Sequence, residues 1–176
     1  LFTIAMLTIY VLLAVAFRSY TLPVIIMSAI PFAYMGAIFG HQLIGIPLDM
    51  FSFFGMGAAA GVVVNDNLVL IDYILKREEK GDDRFTAIIN AAKNRFRPIL
   101  LTTLTTFVGL MPIIAETSQA AAFFKPSVIS LAFGVFFAFF VSLFLVPALY
   151  LIGDDWRQTR SWLARFFPRF SKEEAA

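Results

Sequence analysis

Long apolar stretches separated by short polar breaks run the length of the chain, and none alternates hydrophobic and polar positions with a period of two. Uninterrupted runs of this kind belong to membrane helices, whereas a transmembrane barrel shows the alternation. Five spans can be drawn, at about 1–17, 23–44, 51–75, 99–115 and 127–152. Each approaches the roughly 20 residues a helix needs to cross a hydrocarbon layer of ~30 Å. The pattern therefore predicts an all-α membrane protein with five transmembrane helices, because an open chain in lipid satisfies its backbone only as helix. The 76–97 connector carries Phe85, Ile88, Ile89 and Ala92 at helical spacing, with Asp82 and Asp83 near its start. That spacing predicts a short amphipathic helix on the membrane surface, although a solvated connector fits the same residues. The last segment, 153–176, interleaves Trp156, Trp162, Phe166 and Phe167 with arginines, the pattern of an interfacial anchor.

Composition agrees with this picture. Sixty per cent of residues are hydrophobic and only 15% are charged, which excludes an ordinary water-soluble domain. Cysteine is absent, so disulfides and thiol chemistry are excluded. Charge placement sets the expected orientation. Of 14 Lys and Arg, one (Arg18) lies between the first two spans, seven lie between the third and fourth, and five follow the fifth. Those thirteen fall on one side and Lys125 alone on the other, which makes the crowded side cytoplasmic by the positive-inside rule. The chain is thus expected to begin outside and end inside. Its basic loops face a membrane and call for lipid, not nucleic acid, as the partner. Leu1 already stands within an apolar run, with no basic segment or cleavage site before it. The expectation is a fragment of a longer polypeptide cut near the start of a helix, without a signal peptide.

One triplet breaks the apolar pattern most sharply: Asn65-Asp66-Asn67, near the centre of the third span. A carboxyl at that depth costs roughly 2.5–3.5 kcal/mol on insertion scales, so such groups usually mark an ion or proton path. Helical geometry puts Asp66 on a stripe with Gly55, Ala59 and Val62, turned about 100° from Asn65. Asn67 points roughly opposite Asn65. The small residues from Gly57 to Gly61 predict close approach by another helix. The competing reading is structural, with Asp66 as a hydrogen-bonded contact between helices. Asp72, near the cytoplasmic end, stands four residues before Lys76, the spacing of an ion pair.

The fourth span opens with Pro98, which suits a first helical turn, and groups Thr102, Thr105, Thr106 and Gly109 on one face. Beside a helix carrying a carboxyl and two amides, those hydroxyls are candidates to relay protons or hold water. Pro31, Pro112 and Pro147 are expected to kink their helices. His41 and Asp49 fall in the external connection and read as surface residues, too few for a metal site. No phosphate-binding glycine loop occurs, and only one span holds central carboxyl chemistry, which argues against a nucleotide-hydrolysing enzyme or an intramembrane aspartyl protease. Neither a cofactor nor enzymatic activity is expected.

The stretches FRSYTLPVIIMSAIPFAYMGAIFGHQLIGIPLDMFSFFGMGAAAGVVVNDNLVLIDY and NRFRPILLTTLTTFVGLMPII resemble the last five transmembrane helices of resistance–nodulation–division (RND) exporters, over about residues 1–152. The resemblance implies the carboxy-terminal half-bundle of a proton-driven antiporter of the bacterial inner membrane. It further implies a homotrimer that works with a periplasmic adaptor and an outer-membrane channel, and a preceding periplasmic domain that matches the outside start. In the drug-exporting branch a lysine on the third of these helices engages an aspartate pair in the first half. The matching position here is Asn65, so that charge pair does not form as written. Heavy-metal members carry a carboxylate at about that position, and here the carboxylate stands one residue later, at Asp66. The family's threonine falls on Thr102 and its relay arginine on Arg95. Two other readings use the same residues: a half-bundle that only anchors and oligomerises, and a sensor or lipid-handling protein on the same helical repeat.

Overall fold

The computed structural model describes residues 2–166, with side chains to Gly153. Its elements are α1 (Phe2–Phe17), α2 (Thr21–Met27), α3 (Ile30–Ile44), α4 (Met50–Glu79), α5 (Arg84–Ala115) and α6 (Gln119–Phe166). Four stretches are long and apolar enough to cross a membrane: Thr21–Ile44, Met50–Glu79, Arg84–Ala115 and Gln119–Gly153. The first expected span is the shorter helix α1, which buries only Leu13.

The second span is two helices in line. Pro31 has no N–H to give to the carbonyl of Met27, and the helix is interrupted at Ser28 and Ala29 before restarting with Pro31 in its first turn. The kink expected at this proline is therefore a break. Gly45, at φ 77°, closes α3 in the left-handed region that glycine adopts without strain. Asp49 then caps α4: its Oδ1 accepts from the Ser52 amide at 2.9 Å, and the Asp49 amide donates to Ser52 Oγ at 3.0 Å.

Helix α6 is the post against which α3 and α4 pack. Ala29 at the α3 N-cap and Ala33 and Ala37 on α3, spaced by four, are fully covered. A methyl added at Gly36 or Gly40 would strike Phe137 or Phe133 of α6. One added at Gly134 of α6 would press on Ala33 and Ala59 from the other two helices. With lipid as apolar as the side chains, such close backbone approach supplies much of the packing attraction. Among the described residues, the glycine of α4 in close contact is not one of those expected. Gly57 and Gly61 have nothing within 4 Å of an added methyl, whereas a methyl on Gly55 would fall on the Ser127 backbone carbonyl. The reason is rotation: at about 100° per residue, Gly57 and Gly61 sit some 160° and 120° away from Gly55.

The connector is also corrected. It is helical, but α5 runs without interruption from Arg84 through Pro98 to Ala115, so no separate surface helix exists. Its apolar face docks on the bundle. Ala87, Ile88 and Ala91 are buried in a cluster with Leu70, Ile71 and Ile74 of α4 and Val146 of α6, while Phe85 is exposed. Past Pro98 the helix leaves the core, and only 6% of its most apolar stretch is buried, against 50% for α4. Phe107 holds it there, with ring centroids 5.3 and 4.8 Å from Phe133 and Phe136. Helix α6 continues to Phe166, past the expected start of the tail. The side chains of Trp156, Trp162 and Phe166, and all of Phe167, lie outside the described residues.

Candidate functional site: the carboxyl cleft between α4, α5 and α6

Asp66 shares the face of α4 that Gly55 and Ala59 turn toward α6, and its half-buried side chain borders a small cavity. Asn67 and Leu70 of α4, Ile99 of α5, and Phe139 and Ser142 of α6 help to enclose it. Among the described residues no hydrogen-bond or ion-pair partner meets the Asp66 carboxyl, and no other titratable side chain borders the cavity. The cleft can hold a proton; it has no cluster of acidic, histidine or cysteine side chains that could bind a metal.

The two asparagines beside it differ. Asn67 is buried, at 1% exposure, and its Nδ2 donates to the Ile26 carbonyl at 3.0 Å. That carbonyl belongs to the last turn of α2, where the break before α3 deprives helical carbonyls of their usual donors. Asn67 therefore ties α4 to the interrupted span. Asn65 is exposed.

The other expected site residues stand apart from this cavity. Thr102 is exposed, and its hydroxyl donates back to its own helix, to the carbonyls of Ile99 at 2.9 Å and Pro98 at 3.2 Å. Thr105 does the same. The buried threonine of this segment is Thr103. Arg95 lies nearer the start of α5, with its guanidinium carbon 5.1 Å from the centre of the Tyr73 ring, and its neighbour Asn94 donates to the Tyr73 hydroxyl at 2.9 Å. Thus the structure joins Asp66 with Asn67 and Ser142, and keeps Asn65, Thr102 and Arg95 out of that group.

Two further polar groupings hold the ends of the bundle. At the end bearing Lys76, Glu78 accepts from Arg84 Nε at 2.8 Å and from the Tyr150 hydroxyl at 2.9 Å, so one carboxylate joins α4, α5 and α6. A cavity of about 380 Å³ opens beside this tie. Asp72 and Lys76 pair at 2.7 Å, as their spacing predicts, but both are exposed enough that water takes most of the attraction.

At the opposite end, His41 corrects the surface reading. It is 3% exposed and packs between α3 and α6. Its Nδ1 lies 2.9 Å from the Ile46 carbonyl and its Nε2 lies 2.9 Å from Ser130 Oγ and 3.2 Å from the Pro126 carbonyl. A neutral ring with its proton on Nδ1 donates to Ile46 and accepts from the Ser130 hydroxyl, satisfying both nitrogens. One signal for this burial was present in the sequence. His41 continues the four-residue series Ala29, Ala33, Ala37, and so falls on the face that packs against α6.

Packed apolar helices of spanning length, with a carboxyl unpaired among the described residues, define an all-α polytopic membrane protein. The comparisons narrow this class. The sequence profile of the AcrB/AcrD/AcrF family matches residues 1–154, and the chain belongs to that family of RND transporters. It is 30% identical over 172 residues to the multidrug resistance protein MdtC of Proteus mirabilis (strain HI4320), covering 97% of this chain. To MdtC of Erwinia tasmaniensis it is 29% identical over 160 residues, covering 90%. The chain spans 16% of the length of each. A crystal structure of a heavy metal efflux pump superimposes with a TM-score of 0.76 at 27% identity, over 85% of this chain and 15% of that one.

Proposed function

We propose that this chain is the energy-coupling half-bundle of a proton-driven efflux transporter of the bacterial inner membrane, with its carboxy terminus in the cytoplasm. The observation that carries the reading is Asp66, an inward-facing carboxyl with no counter-ion among the described residues and a cavity beside it. Such a group changes the charge of the helix interface each time it binds or releases a proton. Neutral, it lets α4, α5 and α6 close around the cavity; ionised, it favours an arrangement that brings polar partners or water to it. Alternation between the two packings would drive the soluble domains of the full-length protein, where substrate is bound. The names of the relatives, multidrug resistance proteins and a heavy metal pump, support export as the task. The thirteen basic residues on one side support the orientation. In the same reading the full-length protein is a homotrimer that engages a periplasmic adaptor and an outer-membrane channel.

Asp66→Asn in the full-length protein tests the reading directly. The variant keeps the shape of the side chain but cannot exchange a proton. Proton-coupled export in everted vesicles should fall to background while trimer assembly is retained. Undiminished export would remove Asp66 from the mechanism and leave the bundle with an anchoring role.

A further inference from the structure

Where a turn needs a residue in the left-handed region, glycine is the one that enters without strain. Gly45 and Gly81 follow that rule, at φ 77° and 93°. Arg18, between α1 and α2, does not: its φ is 48°, and it is the one residue other than glycine with a positive φ among those described. The turn is held largely by its own backbone. The Ser19 amide donates to the Ala14 carbonyl at 3.3 Å, and the Leu22 amide donates to Ser19 Oγ at 3.5 Å. Nothing in the turn calls for an arginine, so its side chain is explained by what it faces. It borders the cavity of about 380 Å³ beside the Glu78 tie.

That cavity lies where α1 ends and α2 begins, and where the apolar stretches of α4 and α6 run out at Glu79 and Gly153. Helices of spanning length reach the headgroup layer at their ends. The wall has two kinds of surface. Phe17, Leu22, Ile25 and Leu75 are apolar, while Arg18 and Glu79 bring one charge of each sign. The other charged residues of the wall, Glu78 and Arg84, are bonded to one another. Arg18 and Glu79 are left over. The ion pairs among the described residues are Lys76–Asp72, Arg77–Asp82 and Arg84–Glu78, and neither side chain enters them or makes a hydrogen bond. One helical turn away toward the bilayer, Val15 of α1 and Val24 of α2 are exposed, so acyl chains find apolar surface there.

We propose that this cavity binds the headgroup of a zwitterionic, amine-bearing phospholipid, with the phosphate on Arg18 and the ammonium on Glu79. A guanidinium presents paired donors that match phosphate oxygens, and a carboxylate accepts the N–H groups of an ammonium. The choice among lipids falls to Glu79. An anionic headgroup satisfies Arg18 equally well but leaves the Glu79 carboxylate facing like charge. A quaternary ammonium has no N–H to donate to it. So seated, the lipid links α1, which buries only Leu13, to the end of α4.

Full-length protein stripped of lipid in detergent, then offered equal amounts of dioleoyl phosphatidylethanolamine and dioleoyl phosphatidylglycerol, tests the assignment. Native mass spectrometry counts the lipid bound, and the site is read as the difference between wild type and variant. Wild type should favour the amine lipid. Arg18→Asn should weaken that binding about tenfold, the scale of one charge-assisted hydrogen bond. Asparagine tolerates the left-handed region, so lipid-free thermal unfolding of this variant should match wild type. Glu79→Gln should keep the phosphate contact but bind the two lipids alike. Phosphoethanolamine, the headgroup without chains, should leave the lipid in place. Equal lipid retention by wild type and Arg18→Asn would overturn the site. A preference that survives in Glu79→Gln would overturn the amine assignment, and displacement by phosphoethanolamine would make the ligand a soluble phosphate compound instead of a lipid.

Discussion

The two polar groups built against α6 have opposite characters. At the His41 end, ring nitrogens, the Ser130 hydroxyl, the Ile46 carbonyl and the Asp49–Ser52 cap find partners at 2.9–3.1 Å. In the middle of the span, Asp66 and Ser142 border one cavity and neither has a partner. Both sites lie against α6, the first beside α3 and the second beside α4 and α5. What separates them is completeness. A polar group whose bonds are closed within the bundle fixes the distance between helices, and loses most of its value if that distance changes. A polar group left open lowers stability in any one arrangement, yet it can be served differently in two. Closed polar ties at both ends, His41–Ser130 at one and Glu78 with Arg84 and Tyr150 at the other, leave the mid-span carboxyl as the place where packing can be served differently in two arrangements.

The largest test of the fixed end is Gly55→Ala. Its methyl would meet the Ser127 carbonyl and the Ser130 side chain, backbone and β-carbon that cannot rotate away. The helices must separate, and the cost should be about 2–3 kcal/mol by analogy with overpacked cores. Thermal unfolding of the full-length protein in detergent measures it. An unchanged melting temperature would mean that α4 and α6 are not held at the distance described.

Next in size is His41→Leu, which keeps the volume of the ring roughly but strands the Ser130 hydroxyl and the Ile46 carbonyl. The loss should be about 1–3 kcal/mol, most of it the price of unsatisfied groups. Adding Ser130→Ala should recover part of the loss, because one stranded group is removed with its partner. Additive effects in this double-mutant cycle would show that the two residues do not interact.

The contrast between the closed end and the open mid-span also bears on what could be read before the fold was known. Four helices of spanning length followed from hydropathy, because length and apolarity decide which segments enter lipid, while the first expected span is the shorter α1. The stripe that places Asp66 with Gly55 and Ala59 followed from helical period, and it is the stripe turned toward α6. Three other features did not follow. Which small residues pack is set by the rotation of α4 against its neighbours, and this favoured Gly55 over Gly57 and Gly61. His41 sits just inside α3 beside a loop, and its position in a connection masked its place in the alanine series. Continuity of α5 through Pro98 was hidden because proline usually marks a helix start, whereas here the residues on both sides find packing or lipid that keeps them helical. Ser142 carried no sequence signal at all: it becomes notable only when its neighbours leave it without a bond.

Thr102→Val should show the smallest effect on folding, and it is the most informative about where the open site ends. The hydroxyl is exposed and already bonded to the carbonyls of Pro98 and Ile99, each of which keeps its place in the helix without it. Side-chain hydrogen bonds in membrane proteins average about 0.6 kcal/mol, and one made within a single turn should give no more, so melting should scarcely move. Export is a different matter. If Thr102 takes part in coupling, its partner is not in the Asp66 cavity, which it does not border, but on a helix beyond this chain that covers the exposed face of α5. Export in the full-length protein should then fall severalfold at unchanged stability. Normal export would confine the coupling chemistry of this half-bundle to the three polar groups around the cavity, and the open region would be as small as the fixed one.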